Sequence, residues 1–403
     1  MQRGEFTVGV DIDTTPDNLA AAAQRRRVRE FTTALQALAA DPQFADLHAE
    51  ITDPLAAPAQ REQRAALVAA RRAVARLQER RLHGGHGLLD ERTATQVLLD
   101  TAEPEVQYYE FKIGEEAQVG ADWLWVWLDP SGGCFMLLVQ AKSFKMENRR
   151  LAVDLGYRSG KRKVLQMDLL LESAQVFGVP FAYVVYTGTR EFRAALECTA
   201  THCEGLCRDR EGADVLWLAG LSAHNIRTLV QPREWAGDVM HRGLPLEDML
   251  GTGGPLPPFH DLHLRNSSVL PKELRDLIVA PQGAAQMAAR MILSQVSPIR
   301  MGQFVAADLA TMDLPDGAVF PQLPRDRGHL PVPYLPHVLG GLRTEVPEYV
   351  TDVLAGRTPP VWVTERLAGI VVVPPPGTAA GQQPLAPRAP ALPNRAGGSR
   401  RAA

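Results

Sequence analysis

The strongest constraint on the fold is a pair of apolar segments separated by a tight turn. Residues 122–128 (DWLWVWL) and 134–142 (CFMLLVQAK) are short, rich in aromatic and branched side chains, and bounded by Gly or Pro. The sequence Asp-Pro-Ser-Gly-Gly at 129–133 favours a reversal of the chain between them. We therefore predict that the two segments pair as a β-hairpin.

The segments around this hairpin alternate between helix-like and strand-like patterns. Apolar residues at helical spacing predict helices at 90–102 and 164–177. Runs of branched and aromatic residues predict further strands at 106–112, 181–187 and 214–219. The order helix, strand meander, helix, strand predicts an α/β fold with a mixed sheet.

Composition divides the chain, which has 403 residues, into four segments. Residues 1–84 are rich in good helix formers and predict an N-terminal helical hairpin, with helices at 18–41 and 60–82. Residues 85–235 hold the predicted α/β core. Residues 236–373 form a C-terminal extension of irregular helices and long Pro-rich loops that ends in a strand at 369–373. The remaining 374–403 is dominated by Pro, Ala, Gly and Arg and is predicted to lack fixed structure.

Charge and cysteine content exclude some classes of protein. The net charge of −3 means that any surface for nucleic acid must be local. No apolar stretch reaches the roughly 18 residues that span a bilayer, so no membrane partner is expected. Four cysteines are too few for a disulfide scaffold and are typical of a protein in the reducing cytoplasm.

Three polar residues mark one end of the predicted hairpin. Asp122 lies where a loop enters the first strand, and Gln140 and Lys142 lie near the end of the second strand. Alternation places Gln140 and Lys142 on the same face, with Ala141 on the opposite face. Pairing around the 129–133 turn places Asp122 across from about residue 140. We therefore predict that Asp122, Gln140 and Lys142 converge.

This group of side chains suits the hydrolysis of phosphodiester bonds. A carboxylate and an amide oxygen can hold Mg²⁺, which prefers oxygen ligands and keeps several waters. The metal polarises the phosphate and helps to generate hydroxide. Lys142 would stabilise developing negative charge or orient the attacking water. Glu116 and Glu91 could add carboxylates, depending on how the preceding helix packs.

The segment after the hairpin carries a local excess of positive charge. Between 142 and 163, eight basic residues stand against Glu147 and Asp154. Such a segment could contact the phosphate backbone, and Phe144 and Tyr157 could stack on bases. A flexible charged loop is the alternative interpretation. Besides Lys142, the basic residues are Lys145, Arg149, Arg150, Arg158, Lys161, Arg162 and Lys163.

The arrangement of Asp122, a hairpin, and Gln140-x-Lys142 resembles the PD-(D/E)XK superfamily, which has the restriction-endonuclease-like fold. Glu91-x-x-x-Thr95, Glu116-x-x-x-Gly120-Ala121-Asp122-Trp123 and a later Gln166…Pro180 helix–strand resemble a bacterial family presumed to contain nucleases that act in defence against foreign DNA. The resemblance implies a DNA endonuclease that depends on Mg²⁺ or Mn²⁺.

The resemblance also assigns roles to individual residues. It implies that Asp122 and Gln140 bind the metal together with the Ala141 carbonyl, that Lys142 is catalytic, and that Glu91 is the helix carboxylate of the site. The chain departs from the motif at two positions: Gln140 replaces an acidic residue, and Ala121 replaces a proline. Glutamine is a neutral and weaker ligand for Mg²⁺ than a carboxylate.

Other interpretations stay open at this point. The substitution at Gln140 also suits a nucleic-acid-binding protein whose nuclease site is inactive. The N-terminal helices also suit a scaffold subunit, so a homodimer and a complex with a partner subunit are both open. The spacing of Cys198, His202, Cys203 and Cys207 is irregular for a structural zinc site and favours buried free thiols.

Overall fold

The computed structural model describes residues 58–85, 88–111, 122–159, 163–196, 206–251, 256, 271–295, 311–324 and 332–377. All of these residues belong to one compact unit. The strands are β1 (Gln107–Glu110), β2 (Trp123–Leu128), β3 (Cys134–Ser143), β4 (Lys145–Glu147), β5 (Arg150–Ala152), β6 (Arg158–Ser159), β7 (Val164–Leu165), β8 (Phe181–Tyr186), β9 (Val215–Ala219), β10 (Leu244–Pro245), β11 (Thr311–Asp313), β12 (Gln322–Pro324), β13 (Leu342–Arg343) and β14 (Gly369–Val373).

Helices surround these strands in the described part of the chain. They are α1 (Pro58–His83), α2 (Glu91–Ala102), α3 (Gln166–Phe177), α4 (Arg190–Arg193), α5 (Gly220–Leu229), α6 (Trp235–Arg242), α7 (Lys272–Val279), α8 (Gly283–Ser294), α9 (Tyr334–Leu339), α10 (Glu348–Leu354) and α11 (Val361–Thr364). Short 3₁₀ helices occupy Leu206–Asp209, Pro232–Glu234 and Leu246–Leu250. No helix in the described segments is both long and apolar enough to cross a bilayer.

A mixed sheet forms the centre of the described structure. Its strand order is β1-β14-β2-β3-β8-β9-β10, and β13 also pairs with β3. The pairs β14–β2 and β3–β8 are parallel, and the other pairs are antiparallel. Helices α2, α3, α5 and α8 pack against the sheet. The predicted α/β class with a mixed sheet is therefore confirmed.

The predicted hairpin is formed by β2 and β3. These strands pair in an antiparallel register that runs from Trp123 opposite Val139 to Leu128 opposite Cys134. Asp129 closes the turn by donating its N–H to the Gly133 carbonyl at 2.9 Å. Every residue of β3 is buried, because neighbouring strands and packed helices enclose it.

The predicted strand meander is wrong in one respect. β14, from the C-terminal part of the chain, lies between β1 and β2, antiparallel to the first and parallel to the second. Its apolar sequence, Gly-Ile-Val-Val-Val, is buried throughout, which suits a strand enclosed on both sides. A neighbour that is distant in sequence gives no local signal, so the order along the chain could not predict this insertion.

The predicted segment boundaries at 85 and 235 do not divide the described residues into separate packing units. α1 from the N-terminal segment packs against α2, and β10 and β14 from the C-terminal extension join the central sheet. The predicted helix at 60–82 is confirmed as α1, whereas the predicted helix at 18–41 lies outside the described residues. Of the tail predicted to lack fixed structure, 378–403 lies outside them too.

A buried ion-pair network fixes α1 to the rest of the unit. The Arg71 guanidinium lies 2.8 Å from a Glu247 carboxylate oxygen and 3.1 Å from an Asp214 carboxylate oxygen. The side chains of Arg71 and Glu247 are only 4% and 5% exposed. At this depth a charge that loses its partner is left in a poorly solvating environment.

We predict that Glu247→Ala lowers the free energy of unfolding by about 3–5 kcal/mol, because it leaves Arg71 with an incomplete set of partners. The exposed pair of Lys272 and Asp276, which are 2.7 Å apart, provides the control. Asp276→Ala should cost far less than Glu247→Ala, because solvent screens this pair. Urea denaturation measures both changes, and similar losses for the two variants would contradict the assignment.

Candidate active site

The site begins where β3 extends beyond its antiparallel partner. The pairing of β2 with β3 ends at Trp123 and Val139, whereas β3 continues to Ser143. On its other edge, β3 stays paired with β8 over this length, from Leu138 opposite Phe181 to Ser143 opposite Tyr186. The edge of β3 that faces β2 therefore loses its strand partner after residue 139.

Two carboxylates take the place of the missing strand. Asp122 accepts a hydrogen bond from the Ala141 N–H at 2.8 Å, and Glu91 accepts one from the Ser143 N–H at 2.9 Å. A buried backbone N–H must be paired, so these bonds stabilise the end of β3. They also place the two carboxylates on the same edge of β3, beside backbone N–H groups that are two residues apart.

The local structure explains why these two carboxylates lie here. Asp122 directly precedes β2, and its own N–H donates to the Val139 carbonyl at 3.0 Å. Glu91 is the first residue of α2, whose start is capped by Asp90 through the Thr93 N–H at 2.9 Å. The predicted addition of Glu91 to the site thus has a structural basis in the packing of α2 against β3.

Gln140 and Lys142 share one face of β3 by alternation. Lys142 is 7% exposed, its ammonium group donates to the Gln166 amide oxygen at 2.6 Å, and it lies 5.5 Å from the centre of the Tyr157 ring. Gln140 is 2% exposed. Its amide oxygen is buried and has no hydrogen-bond partner in the described structure. Most buried polar atoms are hydrogen-bonded, so an acceptor without a partner needs an explanation.

The electrostatics of the site are dominated by burial. The pKa of the Asp122 carboxyl is raised to about 6, first by burial and further by the negative charge of Glu91, although the Ala141 N–H and the charge of Lys142 oppose this shift. Burial lowers the pKa of Lys142, while Glu91, Asp122 and Asp154 act in the opposite direction. The charges of Glu91 and Lys142 therefore lie close enough to Asp122 to influence its ionisation.

A divalent cation fits the donor groups present. The described residues contain no group of three or more His, Cys, Asp or Glu side chains arranged to hold a metal ion. Two neutral oxygens belong to the same stretch of β3: the Gln140 amide oxygen lacks a partner, and the Ala141 carbonyl points to the same strand edge as the N–H bound by Asp122. Carboxylate, amide and carbonyl oxygens are ligands that suit Mg²⁺.

Tyr186 and Thr95 form a polar pair beside the carboxylates that the sequence did not reveal. Their hydroxyl oxygens are 2.8 Å apart, and the Thr95 hydroxyl donates to the Glu91 carbonyl at 2.8 Å. Burial raises the pKa of Tyr186, with smaller contributions from Asp122 and Glu91. Tyr186 lies in a buried apolar strand, and only the register of β8 with β3 brings it here.

Some predicted site residues lie outside the described part of the chain. Glu116, Lys161 and Arg162 belong to this group, as do Cys198, His202 and Cys203 of the candidate zinc cluster. Cys207, which is described, is buried and does not form a disulfide.

The basic segment after β3 forms two short hairpins. β4 pairs with β5, and β6 pairs with β7. Asn148 and Arg149 have φ values of 50° and 65°, so the first hairpin reverses through a two-residue turn with Arg149 at its tip. The described basic side chains of the segment after Lys142 are all exposed: Lys145, Arg149, Arg150, Arg158 and Lys163.

The two aromatic residues proposed to stack on bases differ in position. Tyr157 is 49% exposed and lies over Lys142, where a ligand can reach it. Phe144 is 0% exposed, so the prediction that it stacks on a base is wrong. Its N–H bonds to the Tyr186 carbonyl at 2.8 Å, which extends the pairing of β3 and β8 and directs this residue into the core.

We predict a specific pH dependence for the stability of the protein in a chelating buffer. The pKa of Asp122 in the folded state, about 6, lies above the ordinary pKa of an aspartic acid, 3.8. Its contribution to stability is therefore present below about pH 4 and is lost as the pH rises through 6. Between these values wild type should lose stability relative to Asp122→Asn, by at most about 1.4 kcal/mol per pH unit. Urea denaturation across pH 4–7 measures the difference, and parallel curves for the two proteins would contradict the assigned shift.

Comparisons with known proteins place the chain in a family without assigning it an activity. The model of a family of unknown function (DUF6615) matches residues 63–375, which include Glu91, Asp122, Gln140 and Lys142. No curated protein and no solved structure matches the chain. Because the match covers most of its length, the chain belongs to the family of unknown function DUF6615.

Proposed function

We propose that this protein is a metal-dependent nuclease that hydrolyses phosphodiester bonds in DNA. The observation that carries the proposal is the grouping of Asp122, Glu91, Gln140 and Lys142 at the free end of β3, with the Gln140 amide oxygen buried and lacking a partner. Titratable groups with shifted pKa values that share one site with a cation-binding set of oxygens are typical of a catalytic centre.

We further propose that the core is of the PD-(D/E)XK type. The order of α2, β1, the β2–β3 hairpin, α3 and β8 supports this, because the candidate residues lie on the hairpin and on the helix before it. The insertion of β14 between β1 and β2 would then be an addition to that core. A role in defence against foreign DNA is part of the same proposal.

Each residue has a distinct role in the proposed reaction. Asp122, Gln140 and the Ala141 carbonyl would hold Mg²⁺ or Mn²⁺. A divalent ion at this position supplies Lewis-acid polarisation of the phosphate. Lys142, held by Gln166, places a positive charge where negative charge develops on the phosphate oxygens. Glu91 holds the end of β3 and adds negative charge beside Asp122.

The exposed basic hairpins suit the rest of the substrate. Lys145, Arg149, Arg150, Arg158 and Lys163 project from the segment that directly follows Lys142. Contacts of this kind with phosphates supply affinity and orientation, and they do not read the sequence. In hydrolysis, water attacks phosphorus, the bond from phosphorus to the leaving oxygen breaks, and that oxygen takes up a proton.

We predict that wild type nicks or linearises plasmid DNA with Mg²⁺ or Mn²⁺ and that a chelator abolishes the activity. Asp122→Asn keeps an oxygen for the Ala141 N–H but removes the charge, and Lys142→Ala removes the positive charge. Each should lower the cleavage rate at least about 100-fold, the loss typical when one transition-state contact is removed. Gel assays on plasmid, single-stranded DNA and RNA measure the rates.

Glu172→Ala is the matched control for these variants. Glu172 is exposed on α3, the helix that carries Gln166, so its loss should leave cleavage unchanged. A wild-type protein that binds DNA and never cuts it with either metal would instead establish an inactive nucleic-acid-binding protein. Cleavage of RNA alone would keep the chemistry and change the substrate.

Substitutions at Gln140 distinguish a role in binding the metal from a role in stabilising the fold. Gln140→Met removes the buried oxygen that lacks a partner, so we expect equal or higher stability in chelator but a smaller stabilisation by Mg²⁺. Gln140→Glu restores an acidic ligand and adds charge beside Asp122, so we expect lower stability in chelator and a larger Mg²⁺ response. Thermal unfolding across a Mg²⁺ titration measures both, and an unchanged Mg²⁺ response in Gln140→Met would rule out Gln140 as a ligand.

A further inference from the structure

A cleft of about 580 Å³ opens beside the candidate active site. It lies between the end of α1, the start of α2 and the segment that follows β3. The residues of its wall on which the inference depends are Leu82, Leu88, Glu91, Ser143, Met146 and Phe192. Glu91 is the carboxylate that binds the Ser143 N–H, so the cleft and the candidate active site share a wall.

The walls of the cleft are largely apolar. Leu82, Leu88 and Phe192 are half-buried, and Met146 is 47% exposed on β4. Clefts of roughly 300–1,000 Å³ that combine apolar walls with a few polar groups are typical binding sites for small organic groups. The flexible thioether of methionine and the ring of phenylalanine both make favourable contacts with flat aromatic groups.

One polar group in the wall lacks a partner. The Ser143 side chain is 5% exposed, and its hydroxyl oxygen is buried without a hydrogen-bond partner in the described structure. A hydroxyl can both donate and accept, because its hydrogen rotates to suit the partner. It can therefore bond to either kind of edge atom on a heterocyclic ring.

The charges of the wall favour a neutral ligand over a phosphate. Asp90 and Glu91 both line the cleft, and their carboxylates would repel an anion. The Asp90 carboxylate already accepts two hydrogen bonds from Thr93, one from the Thr93 N–H at 2.9 Å and one from the Thr93 hydroxyl at 2.7 Å. Lys145 also lines the cleft and is exposed, so it can meet a phosphate that adjoins a neutral group bound inside.

We propose that this cleft binds one unstacked nucleobase of the substrate, next to the phosphate that is cleaved. The inference rests on the proposed nuclease function and specifies its substrate. Met146 and Phe192 contact the base, and the Ser143 hydroxyl bonds to its polar edge. Removing a base from a duplex costs least where it is mismatched or already single-stranded. The preferred substrate therefore carries an unpaired nucleotide at the site of cleavage.

The test combines a change in the cleft with removal of the base. Cleavage of a short duplex is first mapped, and each nucleotide near the cut is then replaced in turn by an abasic residue. Met146→Ala should lower kcat/KM by up to about tenfold on the intact substrate, the upper end of what a contact between methionine sulfur and a flat aromatic ring contributes. At the position whose base enters the cleft, the abasic substrate should abolish this difference between Met146→Ala and wild type.

Val176→Ala is the matched control, because Val176 is also an apolar side chain that is 49% exposed, and it does not line the cleft. It should leave kcat/KM unchanged on every substrate. Ser143→Ala should lose activity on the intact substrate and, like Met146→Ala, match wild type on that abasic one. Single-stranded and mismatched substrates should be cut faster than the fully paired duplex.

The outcomes separate this inference from the nuclease function. If wild type cleaves and Met146→Ala shows the same loss at every abasic position, the cleft does not hold a base, although the nuclease function stands. If wild type does not cleave, 2-aminopurine in the oligonucleotide still reports unstacking as a rise in fluorescence on binding. A rise that Met146→Ala suppresses supports the base-binding cleft and overturns hydrolysis. Absence of both cleavage and unstacking overturns both.

Discussion

The candidate site depends on one structural constraint, which is that β3 is longer than its antiparallel partner β2. Backbone N–H groups on the free part of the strand edge still need acceptors, because they are buried. Asp122 and Glu91 supply them at Ala141 and Ser143. The same bonds that complete the sheet thus place two carboxylates on one strand edge. A structural requirement of the sheet therefore produces a group of acidic residues that could take part in catalysis.

Electrostatic repulsion follows from this arrangement. Two carboxylates near each other in a poorly hydrated site favour uptake of a proton or of a cation, which agrees with the pKa of about 6 for Asp122. Lys142 neutralises part of the charge, but its ammonium group donates its hydrogen bond to the Gln166 amide oxygen and not to either carboxylate. A cation held by oxygens on the strand edge would relieve the repulsion that Lys142 leaves.

Local signals predicted the hairpin and the convergence of Asp122 with the end of β3, because turn residues and alternation act over a few residues. Non-local packing decided the rest. The position of β14 between β1 and β2 has no signature near either strand. Phe144 follows a strand that is buried along its whole length, so alternation no longer distinguishes an exposed face from a buried one. Ser143 and Tyr186 acquire their roles only through the packing of α2 and the register of β8.

The charge balance also gives a physical reason for glutamine at position 140. A carboxylate there would be a third negative group near Asp122 and Glu91, and Lys142 is the one lysine of the described residues whose charge acts on Asp122. Burial would make that excess of negative charge costly without a bound cation. Glutamine offers an oxygen in the same place without the charge. The cost is a buried acceptor that lacks a partner, which is smaller than that of an unpaired buried charge. In the proposed metal site, the departure from an acidic residue would therefore favour the stability of the free protein and weaken the binding of a cation, so it would tune the site and would not by itself remove it.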